Sequence, residues 1–339
     1  MWFGVARAGE LAGNYVTTRE AAAATLAVAP RRPELVALPR SRLDVARVDR
    51  EENVFGRPDA ELLAPIATAK VVRVKLNHGG TSLSLRVDFA NGARAAFKPE
   101  QTWPQSDPRR EIAAYRIDRL LGIGHVPPAK PIAIAVEDVF AAADPATRLT
   151  VIKRITDEGI AHHGMLRGEA SWWIPDITLA RLGRARIDES EGRGLWTQFL
   201  QTDVEMPAKW EPMLAQISTC IVFDYLIDNA DRWSGSNTEM SPDGKTLYFM
   251  DNSMSFSTHN HPITQGSLRR IERFSRGLVG QLRGVTRDTI VKALGDGEAL
   301  GKLLQDAEID AILIRRDDIL EYVDHLIAKY GEDVVLAFP

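Results

Sequence analysis

Between Val71 and Lys98 apolar and polar positions alternate with the period of half-buried strands. Val71–Leu76 reads as a first strand, Asn77-His78-Gly79-Gly80 as a tight turn and Thr81–Phe89 as a second strand. Asn91-Gly92 is a strong hairpin signal, and Ala93–Lys98 follows as a third strand. Asp107-Pro108 then places a helix cap before a proline at the first helical position. The helix it opens runs from Arg109 to Leu121 and stops at Gly122 and Gly124, ahead of Pro127-Pro128. Two further strands are predicted at Pro131–Val136 and Leu149–Arg154.

The second half has a helical pattern. Leu214–Ile227 is apolar nearly all round, which predicts a helix buried inside the fold. A polar loop after it carries Asp231, Arg232 and Asn237. Pro242-Asp243-Gly244-Lys245 reads as a turn, and Thr246–Met250 as a strand delivering Asp251 and Asn252. Helices are predicted at Gln265–Arg283, Arg287–Leu294 and Asp317–Tyr330. Before this region, residues 1–65 are rich in Ala, Arg and Pro and read as an extension, with a short helix at Thr18–Val28. The expected organisation is an extension at 1–65, a strand-rich lobe at 66–157 and a helical lobe at 158–339.

Composition narrows the function classes. With 339 residues, 45% of them hydrophobic, the chain can bury a large core. A net charge of −4 gives no electrostatic footprint for nucleic acid, so no nucleic-acid partner is expected. No apolar run reaches the roughly 20 residues of a membrane span. Cys220 is the single cysteine, which excludes an intrachain disulfide and suggests a reducing, cytoplasmic setting. Secretion stays open if the true N-terminus differs.

The candidate chemistry lies in the order of the parts. A glycine turn, a hairpin, a lysine and a helix bearing a glutamate are followed by a buried helix, an aspartate loop and a second aspartate. Phosphoryl transfer needs those parts: a cation on the phosphates, oxygen ligands for a metal, and a group that positions the attacking hydroxyl. Lys98 at the end of a strand can reach phosphates, and Glu111 in the first helical turn can hold it; singly, each is also an ordinary surface charge. Gly79 and Gly80 allow close backbone approach to phosphates, although as a motif they are weak and an ordinary hairpin turn is the stronger reading. Asp231 can orient a substrate hydroxyl, and Asn237 can offer a hard oxygen to Mg²⁺; a loop cap and a turn are the bland readings. Asp251 follows the apolar Leu247–Met250, where a carboxylate without a metal or N–H donors would be costly. His162-His163, Trp172-Trp173 and Cys220 read as structural.

Four of these stretches resemble one family, the atypical kinases of the secretory pathway that include the Golgi casein kinase, proteoglycan xylosylkinase and Four-jointed. They are Ser84–Thr102 with Phe97-Lys98-Pro99, the helix from Glu111 to Gly122, Phe223–Leu226 leading to Asn229-Ala230-Asp231-Arg232, and Tyr248–Asn252. The resemblance implies an α+β, two-lobed protein-kinase-like fold, with a β-rich first lobe carrying one key helix and a mainly helical second lobe. It implies ATP and Mg²⁺ or Mn²⁺ as cofactors, with transfer of the γ-phosphate to a hydroxyl of a protein or sugar acceptor. Lys98 would contact the phosphates and pair with Glu111, Asp231 would be the catalytic aspartate, and Asp251 a metal ligand. The alternatives are an inactive kinase-fold scaffold and a phosphoinositide-type lipid kinase. The family's cysteine framework is missing, which marks a cysteine-poor, bacterial-type relative. Related kinases place a second metal ligand five residues after the catalytic aspartate; that position is Ser236 here, with Asn237 one later.

Overall fold

The computed structural model describes residues 53–77, 81–234 and 237–339. The predicted helix at Thr18–Val28 and the candidate residues Gly79, Gly80 and Ser236 therefore lie outside the described residues. From Asn53 onward the stretch read as an extension is packed: helix α1 (Asp59–Leu63) buries Leu62, and Ile66 follows it into the core.

The main sheet contains β1 (Val71–Leu76), β2 (Leu85–Phe89) and β3 (Arg94–Pro99) as an antiparallel meander. Helix α2 (Pro108–Leu120) begins where the sequence placed it, with the Asp107 side chain accepting from the Arg109 N–H. β4 (Ala129–Ala135) leads into α3 (Val136–Ala142) and α4 (Arg148–Glu158). A strand was expected at 149–154. The i,i+4 pair Val151 and Ile155 is what the core buries, and that spacing is helical. β5 (Ala161–His162) and β6 (Met165–Trp172) complete the sheet, in the order β1-β2-β3-β6-β4 with β5 on β6. Strand β6 inserts between β3 and β4, antiparallel to both.

The rest is mostly helical. Short strands β7 (Thr178–Leu179), β8 (Arg181–Leu182) and β9 (Ala185–Arg186) precede α5 (Ser190–Phe199) and α6 (Glu211–Ile227). Helix α6 is buried along most of its length from Met213 onward, as its uniformly apolar sequence requires. It ends at Asp228, whose φ of 56° turns the chain out of the helix. β10 (Glu239–Met240) pairs with β7 and with β11 (Leu247–Tyr248), so the strand before Asp251 is shorter than its apolar run. Helices α7 (Pro262–Leu268), α8 (Arg276–Gly284), α9 (Arg287–Leu294), α10 (Asp306–Tyr330) and α11 (Glu332–Val335) close the fold. The single helix expected over 265–283 is broken because Ser275 caps a new one, accepting from the Leu278 N–H.

Buried apolar side chains gather into two clusters. One lies on the sheet and includes Val74, Leu85, Val87, Phe97, Val151 and Leu166. The other is built around α6 and α10, and Ile112, Ala113, Ala114 and Ile117 of α2 belong to it. The helix that carries Glu111 is thus anchored in the helical core while facing the sheet. Phe55 adds an aromatic bridge, edge-on to Trp172 of β6 at 5.5 Å and stacked on Tyr248 of β11 at 5.7 Å.

Candidate active site

The β3 pleat decides which way Lys98 faces. Ala95, Phe97 and Pro99 point into the sheet core, so Lys98 and Ala96 lie on the opposite face. There the Lys98 ammonium donates to Glu111 Oε1 at 2.5 Å and to Asp251 Oδ1 at 2.7 Å. Three residues that are far apart in sequence meet at one nitrogen. Burial pushes the Lys98 ammonium down, but Asp251, Glu111 and Glu169 outweigh it and hold it above the ordinary lysine range. The Lys98 charge in turn draws Asp251 below the usual carboxylate range, against the effect of burial.

Asp251 has a φ of 55°, a left-handed conformation that an aspartate tolerates at some cost. Two asparagines hold it there. Asn229 Nδ2 donates to the Asp251 carbonyl at 3.1 Å, and the Asn252 N–H donates to Glu111 Oε2 at 2.9 Å. Asn252 Oδ1 also accepts from Asn229 Nδ2 and, at 2.6 Å, from Arg232 Nη2. Arg232 is only 1% exposed and pairs with Asp224 of α6 through Nε and Nη2, while its Nη1 donates to the Met250 carbonyl. Arg232 of this buried ion pair therefore grips the Met250 carbonyl and the Asn252 side chain, one on either side of Asp251.

The structure brings Asp231 and Asn237 together beside this frame. Asn237 Nδ2 donates to Asp231 Oδ2 at 2.8 Å, and Ser234 Oγ donates to Oδ1 at 2.7 Å. The Asp231 carboxylate is thereby aimed, and among the described residues the Asn237 side-chain oxygen accepts no hydrogen bond. Gly79 and Gly80 cannot be placed against the site, because they lie outside the described residues.

Oxygen donors define which cation fits. Asp251 uses Oδ1 for Lys98 and the Ser253 hydroxyl, its side chain is 43% exposed, and Oδ2 accepts no hydrogen bond among the described residues. Among those residues no group of three or more His, Cys, Asp or Glu is gathered to hold a metal unaided. Hard oxygen donors of the kind that the Asp251 carboxylate and the Asn237 amide offer suit Mg²⁺ or Mn²⁺.

Two acidic residues here were not foreseen from sequence. Glu169 of β6 stands opposite Lys98 in the β3–β6 register; burial and the Glu111 charge push its carboxyl up to about 8. Glu239 of β10 is pushed up to about 7 by burial and by Asp251. Local sequence carries no mark of either, since their neighbours arrive by strand pairing. The structural readings hold for other residues. Cys220 is buried against Asp224, with burial pushing its thiol up, and Trp173 lies under the guanidinium groups of Arg86 and Arg94.

A strand-borne lysine, a helix glutamate and an aspartate at the end of a short strand, set between a sheet and a helical core, define a protein-kinase-like fold. Comparison with known proteins narrows the class further. The chain is similar to the secretory-pathway atypical kinases: it is 24% identical to the glycosaminoglycan xylosylkinase of Homo sapiens, over 80% of this chain and 76% of that protein. It is 22% identical to the human extracellular serine/threonine protein kinase FAM20C, over 59% of this chain and 41% of that protein. The Golgi casein kinase with Mn and ADP bound superposes with a TM-score of 0.64 at 17% identity, over 80% of this chain and 77% of that one. No protein-family model matches the chain. The expected α+β, two-lobed kinase-like fold is therefore observed.

These relatives correct the cytoplasmic expectation, since by name they are Golgi and extracellular kinases. A missing disulfide shows only that a core of this size holds without one. Among the described residues, no helix is long and apolar enough to cross a membrane.

Proposed function

We propose that this chain is an ATP-dependent phosphotransferase that moves the γ-phosphoryl group to a hydroxyl on a protein or a sugar. The observation that carries the reading is the Lys98 ammonium held at 2.5 Å by Glu111 and at 2.7 Å by Asp251. Such a fixed cation, beside a carboxylate with an oxygen to spare, is what binds and orients a metal-bound triphosphate. In this reading Lys98 donates to the phosphates and Glu111 holds it. Asp251 and Asn237 would hold the divalent cation, whose charge would offset that of the phosphate oxygens.

Asp231 Oδ2 accepts from the acceptor hydroxyl and directs its oxygen in line with the γ-phosphorus. As the new O–P bond forms, the bond from γ-phosphorus to the bridging oxygen breaks and ADP leaves; the hydroxyl proton passes to Asp231. Asn237 and Ser234 keep that carboxylate aimed throughout. The two hydrophobic clusters support treating the sheet and the helical core as two lobes with this site between them.

Acceptor chemistry is supported by the relatives, of which one is named for xylose and another for serine and threonine. A radiolabelled ATP assay against peptide, sugar and lipid acceptors tests the proposal, with Asp231→Asn as the control. Transfer to a peptide or sugar, lost by about 10²-fold or more in the variant, is expected. Label on lipid alone selects the phosphoinositide-type reading. Binding of ADP with Mn²⁺ and no transfer to any acceptor selects the scaffold reading.

A further inference from the structure

Lys98 has three carboxyl groups around its single positive charge. Glu111 and Asp251 bond to its ammonium, and Glu169 is its direct cross-strand neighbour. Because β3 and β6 are paired in register, the side chains of Lys98 and Glu169 emerge on the same face of the sheet. Glu169 is only 2% exposed. Ser171, two residues on and therefore on that face, donates its hydroxyl to Glu169 Oε1. The other oxygen, Oε2, is buried with no hydrogen-bond partner among the described residues. A buried carboxyl oxygen without a partner is costly and unusual, and it needs an explanation.

An ammonium group has three N–H donors. In the structure two of them serve Glu111 and Asp251. When Asp251 turns its charge to a metal, the lysine loses a partner at the moment it must also hold phosphate. Glu111 cannot simply follow, because its second oxygen is bound to the Asn252 N–H. The carboxyl with a free oxygen is the one behind, on β6.

We propose that Glu169 is a positioning residue for Lys98, the carboxylate that anchors the ammonium from behind once Asp251 engages a metal-bound nucleotide. The proposal rests on the phosphotransferase reading above. With Lys98 bonded to Glu111 and Asp251, burial and the Glu111 charge push the Glu169 carboxyl up to about 8, which favours its protonated form at neutral pH. Glutamine is therefore a close mimic of its resting form and a poor mimic of its working form. That contrast separates a positioning role from a structural one.

The test compares the full chain with Glu169→Gln and Glu169→Asp, reading thermal midpoints with and without Mn²⁺ and ADP, ADP affinity, and steady-state kinetics in ATP. Glu169→Gln is expected to keep the ligand-free midpoint. Its affinity for ADP with Mn²⁺ should fall, and its KM for ATP rise, by about tenfold, the worth of one charge-assisted hydrogen bond. kcat should change less. Glu169→Asp, which keeps the charge on a shorter arm, should recover part of the loss. Wild-type nucleotide affinity in Glu169→Gln overturns the proposal, as does a fall in the ligand-free midpoint with unchanged affinity, or no recovery in Glu169→Asp. A wild-type chain that shows no shift with Mn²⁺ and ADP overturns the phosphotransferase reading and this proposal with it.

Discussion

The Arg232–Asp224 pair offers a strong test of how the fold supports the site. Both side chains are almost wholly inaccessible, and Arg232 meets Asp224 at 3.2 Å through Nε and 3.1 Å through Nη2. Replacing Asp224 with Ala leaves a buried guanidinium facing only neutral acceptors, Asn252 Oδ1 and the Met250 carbonyl. It also strips the acceptor from Trp233 Nε1 at 3.1 Å. Removing one partner of a buried ion pair costs about 3–5 kcal/mol. At roughly 2–4 °C per kcal/mol for a domain of this size, the midpoint should fall on the order of 10 °C. Asp224→Asn keeps the shape but loses the charge, and should lose a large part of the same stability. The assay is denaturant and thermal unfolding of the single variants and of Asp224→Leu/Arg232→Met. The double variant removes both charges, so it should cost much less than the two single losses added together. Because Arg232 also grips the residues on each side of Asp251, the single variants should lose ADP affinity in Mn²⁺ as well. A loss below about 1 kcal/mol in Asp224→Ala, or simple additivity in the cycle, would refute the reasoning.

Asp251→Asn should abolish the Mn²⁺-dependent part of nucleotide binding and lower transfer by about 10²-fold or more, seen by titrating ADP with and without metal. A wild-type rate in that variant removes Asp251 from the site. Gly168→Ala puts a Cβ at 2.3 Å from the Lys98 carbonyl oxygen and 2.7 Å from Pro99 Cα. Backbone must move, so denaturant unfolding should show a loss of about 1–3 kcal/mol and kinetics a raised KM for ATP. His125 is held neutral: burial pushes its imidazole down to about 4 from an ordinary 6.5, while Nδ1 contacts the Leu247 carbonyl at 2.6 Å. The unfolded chain takes up that proton first, so stability is full above about pH 6.5 and drains away as pH falls towards 4. His125→Gln should flatten that slope, as measured by unfolding across the range, and an unchanged slope would assign it to other groups.

Much of this was legible along the chain because the signals are local. Asp107-Pro108 announces α2 through cap chemistry, and Asn91-Gly92 announces the β2–β3 hairpin through its turn. The apolar run 214–227 announces a buried helix because no face of it suits water. The order of Lys98, Glu111, Asp231 and Asp251 carried the kinase resemblance for the same reason. Failures came where a pattern is short or interrupted. The region 148–158 is too brief to separate a strand from a helix, and Gly168 and Glu169 break the strand signal of β6.

What only the tertiary structure decided is which charges share a space. The meeting of Lys98 with Asp251 spans 153 positions, and the placement of Glu169 behind it depends on β6 entering the sheet between β3 and β4. Side-chain chemistry and helix caps are properties of neighbours in sequence, so the residue types were readable. Burial, register and the competition of three carboxyl groups for one ammonium arise from packing between distant segments, and no local pattern contains them.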